Sequence, residues 1–398
     1  MSAGSLLVLN AGSSSIKCAV FRTGDHALHE HLRMVLSGIG SAAPVLRWRD
    51  AEGGGEEAMD SRDACDHAHA FDLMLSGLRR WPDLAPVTAA GHRVVHGAEQ
   101  FAQPVQIDGP TLQAITALQA LAPLHQAAGI AGVHAVSRRW PGLPQFACFD
   151  TAFHRELPAV EHTYALPAAL RRQGLRRYGF HGLSCESSVL ALAKLLPDLA
   201  GRRVIVAHLG GGTSLTAIHD HRSLATTMGF STLEGPPMSS RCGSLDPGIL
   251  LHLLRDGLSP AALEELLYHE SGLRALSGGS GDMQTLLARE AADPAAAFAI
   301  ACYVYRVQRE VGSLTAALGG LDVLVFTGGI GEHSAGIRAR IVHGLQWLGL
   351  TLDEQANRAG TAIITTASSP VVGTVIAADE ELVIARAAAA LLAGPLRP

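Results

Sequence analysis

Three short turns in this chain are rich in glycine and hydroxyl side chains, and each follows a run of buried-strand character. They are Gly12-Ser13-Ser14-Ser15 with Lys17, Gly210-Gly211-Gly212-Thr213, and Gly328-Gly329-Ile330-Gly331. Glycine lets backbone N–H groups approach an oxyanion, hydroxyls add donors, and a ligand crevice is expected at the carboxyl ends of strands. Taken singly, each turn also reads as an ordinary connection. Three in one chain point to a polyphosphate ligand. Neither G-x-x-x-x-G-K-[ST] nor G-x-G-x-x-G occurs, which disfavours P-loop and Rossmann readings.

A second set of residues is charged. Arg93 stands in Gly91–Gly97, Asp150 ends the apolar run Gln145–Phe149, His181 follows an aromatic in Arg177–Gly182, and Arg241 is isolated in Ser240–Gly243. A carboxylate at a strand end suits Mg²⁺ binding or proton removal, and arginines suit planar carboxylate or phosphoryl oxygens. Read alone, Asp150 also suits a helix cap and Arg241 a surface ion pair. The pairs His29/His31, His67/His69 and His219/His221 lack a third metal ligand at recognisable spacing and read as solvated. No G-x-S-x-G elbow or H-E-x-x-H motif supports a serine hydrolase or zincin.

The elements that must position these residues follow from pattern. Leu6–Leu9, a turn and Ile16–Phe21 read as strand, turn, strand, and Val204–Ala207, a turn and Ser214–Ile218 repeat that layout. Gly210 lies 198 residues after Gly12, and Thr213 the same distance after Ser15, so a duplicated domain is expected. A helix is predicted after Asp293-Pro294, with Ile300, Val304, Val307, Val311, Leu314 and Leu318 on one stripe and Gly319-Gly320 as its stop. The strand Asp322–Phe326 follows. Asp379–Leu392 reads as a helix capped by Asp379, and Glu52–Glu57 as an exposed loop. Strands alternating with helices indicate an α/β fold.

Composition sets the outer limits. With 398 residues, 48% hydrophobic and 17% charged, the chain is long enough for two domains and too apolar for whole-chain disorder. Thirty-six acidic against 31 basic residues, and 5% aromatics, argue against nucleic acid or a charged membrane surface as partner. Six scattered cysteines without a C-x-x-C pair suit a reducing cytoplasm. No signal peptide or membrane span is apparent, so a cytoplasmic protein is expected. Only Lys17 and Lys194 are lysines. Lys17, inside the first Ser-rich turn, marks a place where a compact ammonium is wanted.

These residues resemble acetate kinase, a family of the sugar kinase–actin superfamily. The resemblance rests on NAGSSSIK (Asn10–Lys17), GHRVVHG (Gly91–Gly97), LAPLH (Leu121–His125), FDTAFH (Phe149–His154), RRYGFHG (Arg176–Gly182), AHLGGGTS (Ala207–Ser214), FTGGIGE (Phe326–Glu332) and DEELVIAR (Asp379–Arg386). It implies two duplicated actin-like, ribonuclease H-like α/β domains with a nucleotide cleft between them, the first covering residues 1–151 plus 380–398 and the second 152–379. It also implies a homodimer, ATP as co-substrate, Mg²⁺ or Mn²⁺, and reversible phosphorylation of acetate to acetyl phosphate by direct in-line transfer. Propionate or butyrate kinase of the same family is the neighbouring reading, and a non-catalytic nucleotide-binding regulator the reading from another class.

The resemblance also implies roles. Asp150, Arg93, His181 and Arg241 would be catalytic, Arg93 and Arg241 clamping acetate and the transferring phosphoryl group. Asn10, Ser13, Ser15 and Lys17 would line the first phosphate turn, with His208, Gly210, Gly211 and Gly212 near the phosphates. Asp282, Met283, Gln284, Gly329, Ile330, Gly331 and Glu332 would meet the nucleotide. Asn10 and Glu380 would hold the metal. Val95, Leu124, Phe180 and Thr232 would line the acyl pocket. The sequence departs from the family pattern at Gly211 for Asn, Thr232 for Pro, Gln284 for Arg and His333 for Asn; the triple glycine is similar to butyrate kinases.

Overall fold

The strand Ser5–Ala11 is buried at all seven residues, as expected of a strand covered on both faces. The computed structural model describes residues 4–12, 14–23 and 28–394, and of residues 123–125 the backbone alone. It divides into two units, residues 1–152 with 379–398, and residues 153–378.

The first unit is built on β1 (Ser5–Ala11), β2 (Ser15–Thr23), β3 (Leu28–Ser37), β4 (Val45–Asp50), β5 (Gly54–Ala58), β6 (Val87–Val94), β7 (Val105–Gln106) and β8 (Gln145–Phe149). They form one sheet in the order β5-β4-β3-β2-β1-β6-β8-β7. β1, β6 and β8 run parallel, so Ala11, Val94 and Phe149 end at the same edge. Helices His67–Gly77 and Pro123–Arg139 bury Phe71, Met74, Ala128 and Val136 against Leu7 and Leu9 on one face. The second of these comes close to β6 through Gly129, where a Cβ would lie 3.0 Å from the Arg93 carbonyl oxygen. Helix Glu380–Ala393 covers the other face, capped by Asp379, which accepts from the Leu382 N–H.

The second unit holds β9 (Arg203–Leu209), β10 (Thr213–His219), β11 (Arg222–Thr226), β12 (Val323–Thr327) and β13 (Val372–Val375), in the order β11-β10-β9-β12-β13. β9 is antiparallel to β10 and parallel to β12, and β12 is parallel to β13. The run β3-β2-β1-β6-β8 of the first sheet has the same order and the same directions. The duplicated layout expected from the two glycine turns is therefore present in the topology. Helix Pro294–Leu318 packs Ile300, Val304, Val307, Val311 and Leu314 on one face of this sheet. Asp293 caps it and Gly319, at φ 69°, ends it, as the sequence predicts.

Two expectations are corrected. Residues 54–58 are the edge strand β5, not a loop. Asp50 Oδ1 accepts from the N–H groups of Glu52 and Gly53 to close the turn, and the Trp48 ring lies where a Gly55 Cβ would be. The third glycine turn is the opening of a short helix, Gly328–His333.

Candidate active site

At the shared edge of β1, β6 and β8 the first unit gathers four of the residues singled out by sequence. Arg93 donates to both oxygens of Asp150, at 3.0 and 3.2 Å from Nε and 2.5 Å from Nη2. Its Nη1 donates to Asn10 Oδ1 at 3.3 Å and to the Ala11 carbonyl at 3.2 Å. Asn10 Nδ2 donates in turn to Glu380 Oε2 at 2.8 Å and Glu381 Oε1 at 2.7 Å. Asn10, Asp150, Glu380 and Glu381 are all buried. Burial works against the Arg93 charge, yet Asp150, by charge and hydrogen bonds, and then Glu380 and Glu381 hold the guanidinium pKa above its ordinary value.

Charge decides what this cluster can hold. Three buried carboxylates face Arg93 and, across Glu381, Arg33, which is itself shared with Glu30 and Asp379. The excess of negative charge, all of it on oxygen, fits a hard divalent cation. Asn10 donates to Glu380 and so orients that carboxylate. Ser15 and Lys17 lie at the start of β2, where Lys17 pairs with Asn10 and shares its face of the sheet. Val95 is buried just beyond β6. Ser13 and the Leu124 side chain lie outside the described residues.

In the second unit a pair of histidines stacks, His181 on His208, with ring centroids 4.2 Å apart. Each is pinned at Nδ1 by a hydroxyl: Ser214 on His181 at 2.9 Å and Ser184 on His208 at 2.8 Å. His181 takes a left-handed conformation (φ 58°, ψ 28°) before helix Gly182–Leu195, a strained position for a residue with a Cβ. Buried His154 supports it, with Nε2 2.9 Å from the Phe180 carbonyl oxygen and Nδ1 2.9 Å from Ser223 Oγ. The turn Gly210–Gly212 runs beside both rings. A Cβ on Gly212 would stand 3.3 Å from His181 Nε2 and 3.4 Å from Arg241 Nη2, and one on Gly210 would stand 3.6 Å from His208 Nε2.

Arg241 Nη1 donates to the Thr232 carbonyl at 3.1 Å. Its loop is pressed against Gly272 (φ 62°), where a Cβ would fall 2.6 Å from the Arg241 carbonyl oxygen. Thr232 and Phe180 are buried. Gly211 accepts from the Ser239 N–H at 3.1 Å. Of the nucleotide-side candidates, Gly329 lies near the second turn, its N 3.9 Å from where a Gly210 Cβ would stand. Asp282 caps helix Met283–Arg289 through Thr285, Met283 is buried in the apolar core, and Gln284 is exposed. Gly329, Ile330 and Gly331 lie on the short helix after β12, and Glu332 Oε1 accepts from the N–H groups of Gly328 and Ala378.

Sequence reading missed Arg33 and the part played by Glu381, along with Ser184, Ser214 and His154 as supports. The second Glu of DEELVIAR was visible; its partner on β3 was not. Among the described residues one three-ligand group, Cys65, Asp66 and His69, comes together elsewhere, but it is exposed and His69 Nδ1 already pairs with Asp66 Oδ1 at 2.8 Å.

Residues 5–386 match the acetokinase family across nearly the whole chain. The chain belongs to the acetokinase family. It is 46% identical over 391 residues to an acetate kinase of Rhodopseudomonas palustris, covering 96% of each chain. It is 44% identical over 398 residues to one from Methylocella silvestris, covering 97% of this chain and 98% of that one. Its fold matches the crystal structure of a propionate kinase from Francisella tularensis (TM-score 0.87, 36% identity, 96% and 98% covered). It also matches that of Porphyromonas gingivalis acetate kinase (TM-score 0.84, 32% identity, 98% and 100% covered). The acetokinase family is thus joined to an actin-like α/β fold with two sheets.

This acetokinase carries three buried imidazoles, His92, His96 and His154, each pushed down to about 4 by burial. Their folded pKa lies below the unfolded value near 6.5, so between these limits the unfolded chain binds more protons. Stability is therefore complete above about pH 6.5 and falls as the pH drops toward 4, by on the order of 3 kcal/mol for each group. Calorimetry should show a nearly constant Tm from pH 7.5 to about 6.5 and a falling one from there to pH 5. A flat Tm over that range contradicts the burial assignment.

Proposed function

We propose that the chain is an acetate kinase, transferring the γ-phosphoryl group of ATP to acetate in line and reversibly, with acetyl phosphate and ADP as products. The observation that carries this reading is the buried Asn10–Arg93–Asp150–Glu380 network at the strand ends, in a chain whose full-length relatives are acetate kinases. The transition state for such transfer is loose and spreads charge over equatorial oxygens, so fixed cations and N–H donors do most of the work. Arg93 offsets repulsion between the two anions that must meet. Asp150 holds Arg93 by a forked pair, a positioning role. Acetate is already ionised near neutral pH and needs no strong base. His181 and Arg241 supply donors to the phosphoryl oxygens, and the Gly210–Gly212 turn supplies N–H groups without a side chain in the way.

Mg²⁺ is the cation that the carboxylate excess fits; bound with the nucleotide it would neutralise phosphate charge, with Glu380 as its protein ligand and Asn10 holding that carboxylate. A second copy of the chain is the expected partner. Ile249, Leu251 and Leu254 of helix Pro247–Arg255 are exposed, as are Phe298 and Tyr305, apolar surface that a second copy would cover. A cytoplasmic location agrees with six unbridged cysteines, and no helix among the described residues is long and apolar enough to cross a membrane.

The test is an assay of the purified protein with MgATP and acetate, propionate or butyrate. Val95, Phe180 and Thr232 are buried apolar or small side chains, so acetate is expected first and propionate within about tenfold in kcat/KM. Butyrate should be clearly poorer, because overpacking costs about 1–3 kcal/mol. Thr232→Pro should sharpen the preference for acetate. Butyrate as the best acceptor would overturn the choice of acid, and no transfer to any of the three would overturn the reading itself.

A further inference from the structure

Arg33 lies on β3, two strands from the strand that carries Asn10. Gly91, Val8, Ala19 and Arg33 are successive register partners across β6, β1, β2 and β3. The helix Glu380–Ala393 lies close over this row, since a Cβ on Gly91 would stand 2.6 Å from Ile384 Cγ2. Arg33 reaches the start of that helix. Its Nη1 donates to Glu381 Oε2 at 2.6 Å, its Nη2 to Asp379 Oδ1 at 2.8 Å, and its Nε to Glu30 Oε2 at 2.9 Å.

A cation at a helix N-terminus opposes the helix dipole. Here it is offset by three acidic residues, Asp379, Glu380 and Glu381, in or beside the first turn. The arrangement has a second effect. Glu381 is fully buried, one of its oxygens taken by Arg33 and the other by Asn10. Without Arg33, two adjacent buried carboxylates would meet the same cation. With it, Glu381 is neutralised and turned onto the Asn10 amide, whose other N–H then fixes Glu380.

We propose that Arg33 is a positioning residue for phosphoryl transfer, holding Glu381 on Asn10 so that the divalent cation is held by Glu380 and not by both glutamates. The inference rests on the reading of the chain as a Mg²⁺-dependent acetate kinase. Groups behind a metal ligand set its orientation, and losing them costs about tenfold to a hundredfold in activity or affinity. Arg33 differs from a simple support in the sign of its effect on the cation. Removing its charge releases a carboxylate toward the metal, which strengthens binding in the wrong place.

The variants are Arg33→Met, Glu381→Gln and the two combined. Turnover is measured with MgATP and acetate, and affinity with Mn²⁺ in the presence of ADP, by the electron paramagnetic resonance signal of free Mn²⁺. For Arg33→Met, kcat should fall by about tenfold or more while Mn²⁺ binds about threefold tighter or better. In the double variant Gln keeps an acceptor for Asn10 without the charge, so Mn²⁺ affinity should return to within about twofold of wild type and much of kcat should recover. Glu381→Gln alone should leave Mn²⁺ affinity within about twofold, which keeps the test alive if Arg33→Met does not fold.

An Arg33 that merely docks the helix predicts the opposite: kcat and Mn²⁺ affinity fall together and Glu381→Gln rescues neither. That result, or a large loss of Mn²⁺ affinity in Glu381→Gln alone, overturns the proposal. Wild-type protein that fails to phosphorylate acetate would instead overturn the functional reading beneath it.

Discussion

Arg93→Ala should lose acetate phosphorylation by at least about three orders of magnitude and should also unfold more easily. Both effects come from one guanidinium. Its Nε and Nη2 hold Asp150, a carboxylate only 1% exposed, and its Nη1 holds Asn10 and the end of β1. Removing it strands a buried charge, which costs about 3–5 kcal/mol, and on the proposed mechanism it also deletes the cation that meets the two anions of the reaction. Arg93→Lys separates the two effects. A lysine restores charge near Asp150 but cannot make the forked pair and reach Asn10 together, so stability should largely return while turnover stays low. Thermal denaturation and steady-state kinetics on both variants decide the matter. Near wild-type turnover in Arg93→Ala would remove Arg93 from the mechanism.

The contrast between Arg93 and Arg33 shows where sequence reading works and where it stops. Arg93 is the next-to-last residue of β6, a polar interruption just before the apolar pair Val94-Val95, so its place is written locally. Arg33 reaches a partner 348 residues away, and nothing in the pattern of β3 announces that contact. The duplication was legible because glycine turns are rigid punctuation. β9 begins 198 residues after β1 and β10 the same distance after β2, as Gly12 and Gly210 imply. The strand β5 was not legible, because an exposed edge strand with two glycines shows no apolar alternation, and the space beside Gly55 is filled by the ring of Trp48 on β4. Met283 shows a different limit. The sequence places it beside nucleotide candidates, but a residue opening a helix behind an Asp cap can turn its side chain inward, and this one enters the apolar core. Local chemistry was readable; the face on which each side chain lands depended on packing.

Arg241→Ala should reduce turnover by about two to three orders of magnitude with little loss of stability, the reverse balance from Arg93. Arg241 is half-buried and its Nη1 is held by a backbone carbonyl, that of Thr232. Losing a bond of that kind costs about 1 kcal/mol. Its loop is held through the backbone as well, by the Met238 N–H on the Arg241 carbonyl and by close packing on Gly272. Activity should suffer because Nη2 stands beside the Gly212 turn and His181, the place where the proposed mechanism has donors converge on the transferring phosphoryl group. Gly212→Ala probes the same convergence without touching a charge. Its methyl would press on His181 and Arg241 at 3.3 and 3.4 Å, close enough to displace both slightly. Turnover should fall by about tenfold to a hundredfold with the fold intact, because an ångström of misplacement is costly in such transfer. If Arg241→Ala keeps near wild-type kcat while Gly212→Ala does not, His181 and the turn carry the chemistry of the second unit and Arg241 only frames it.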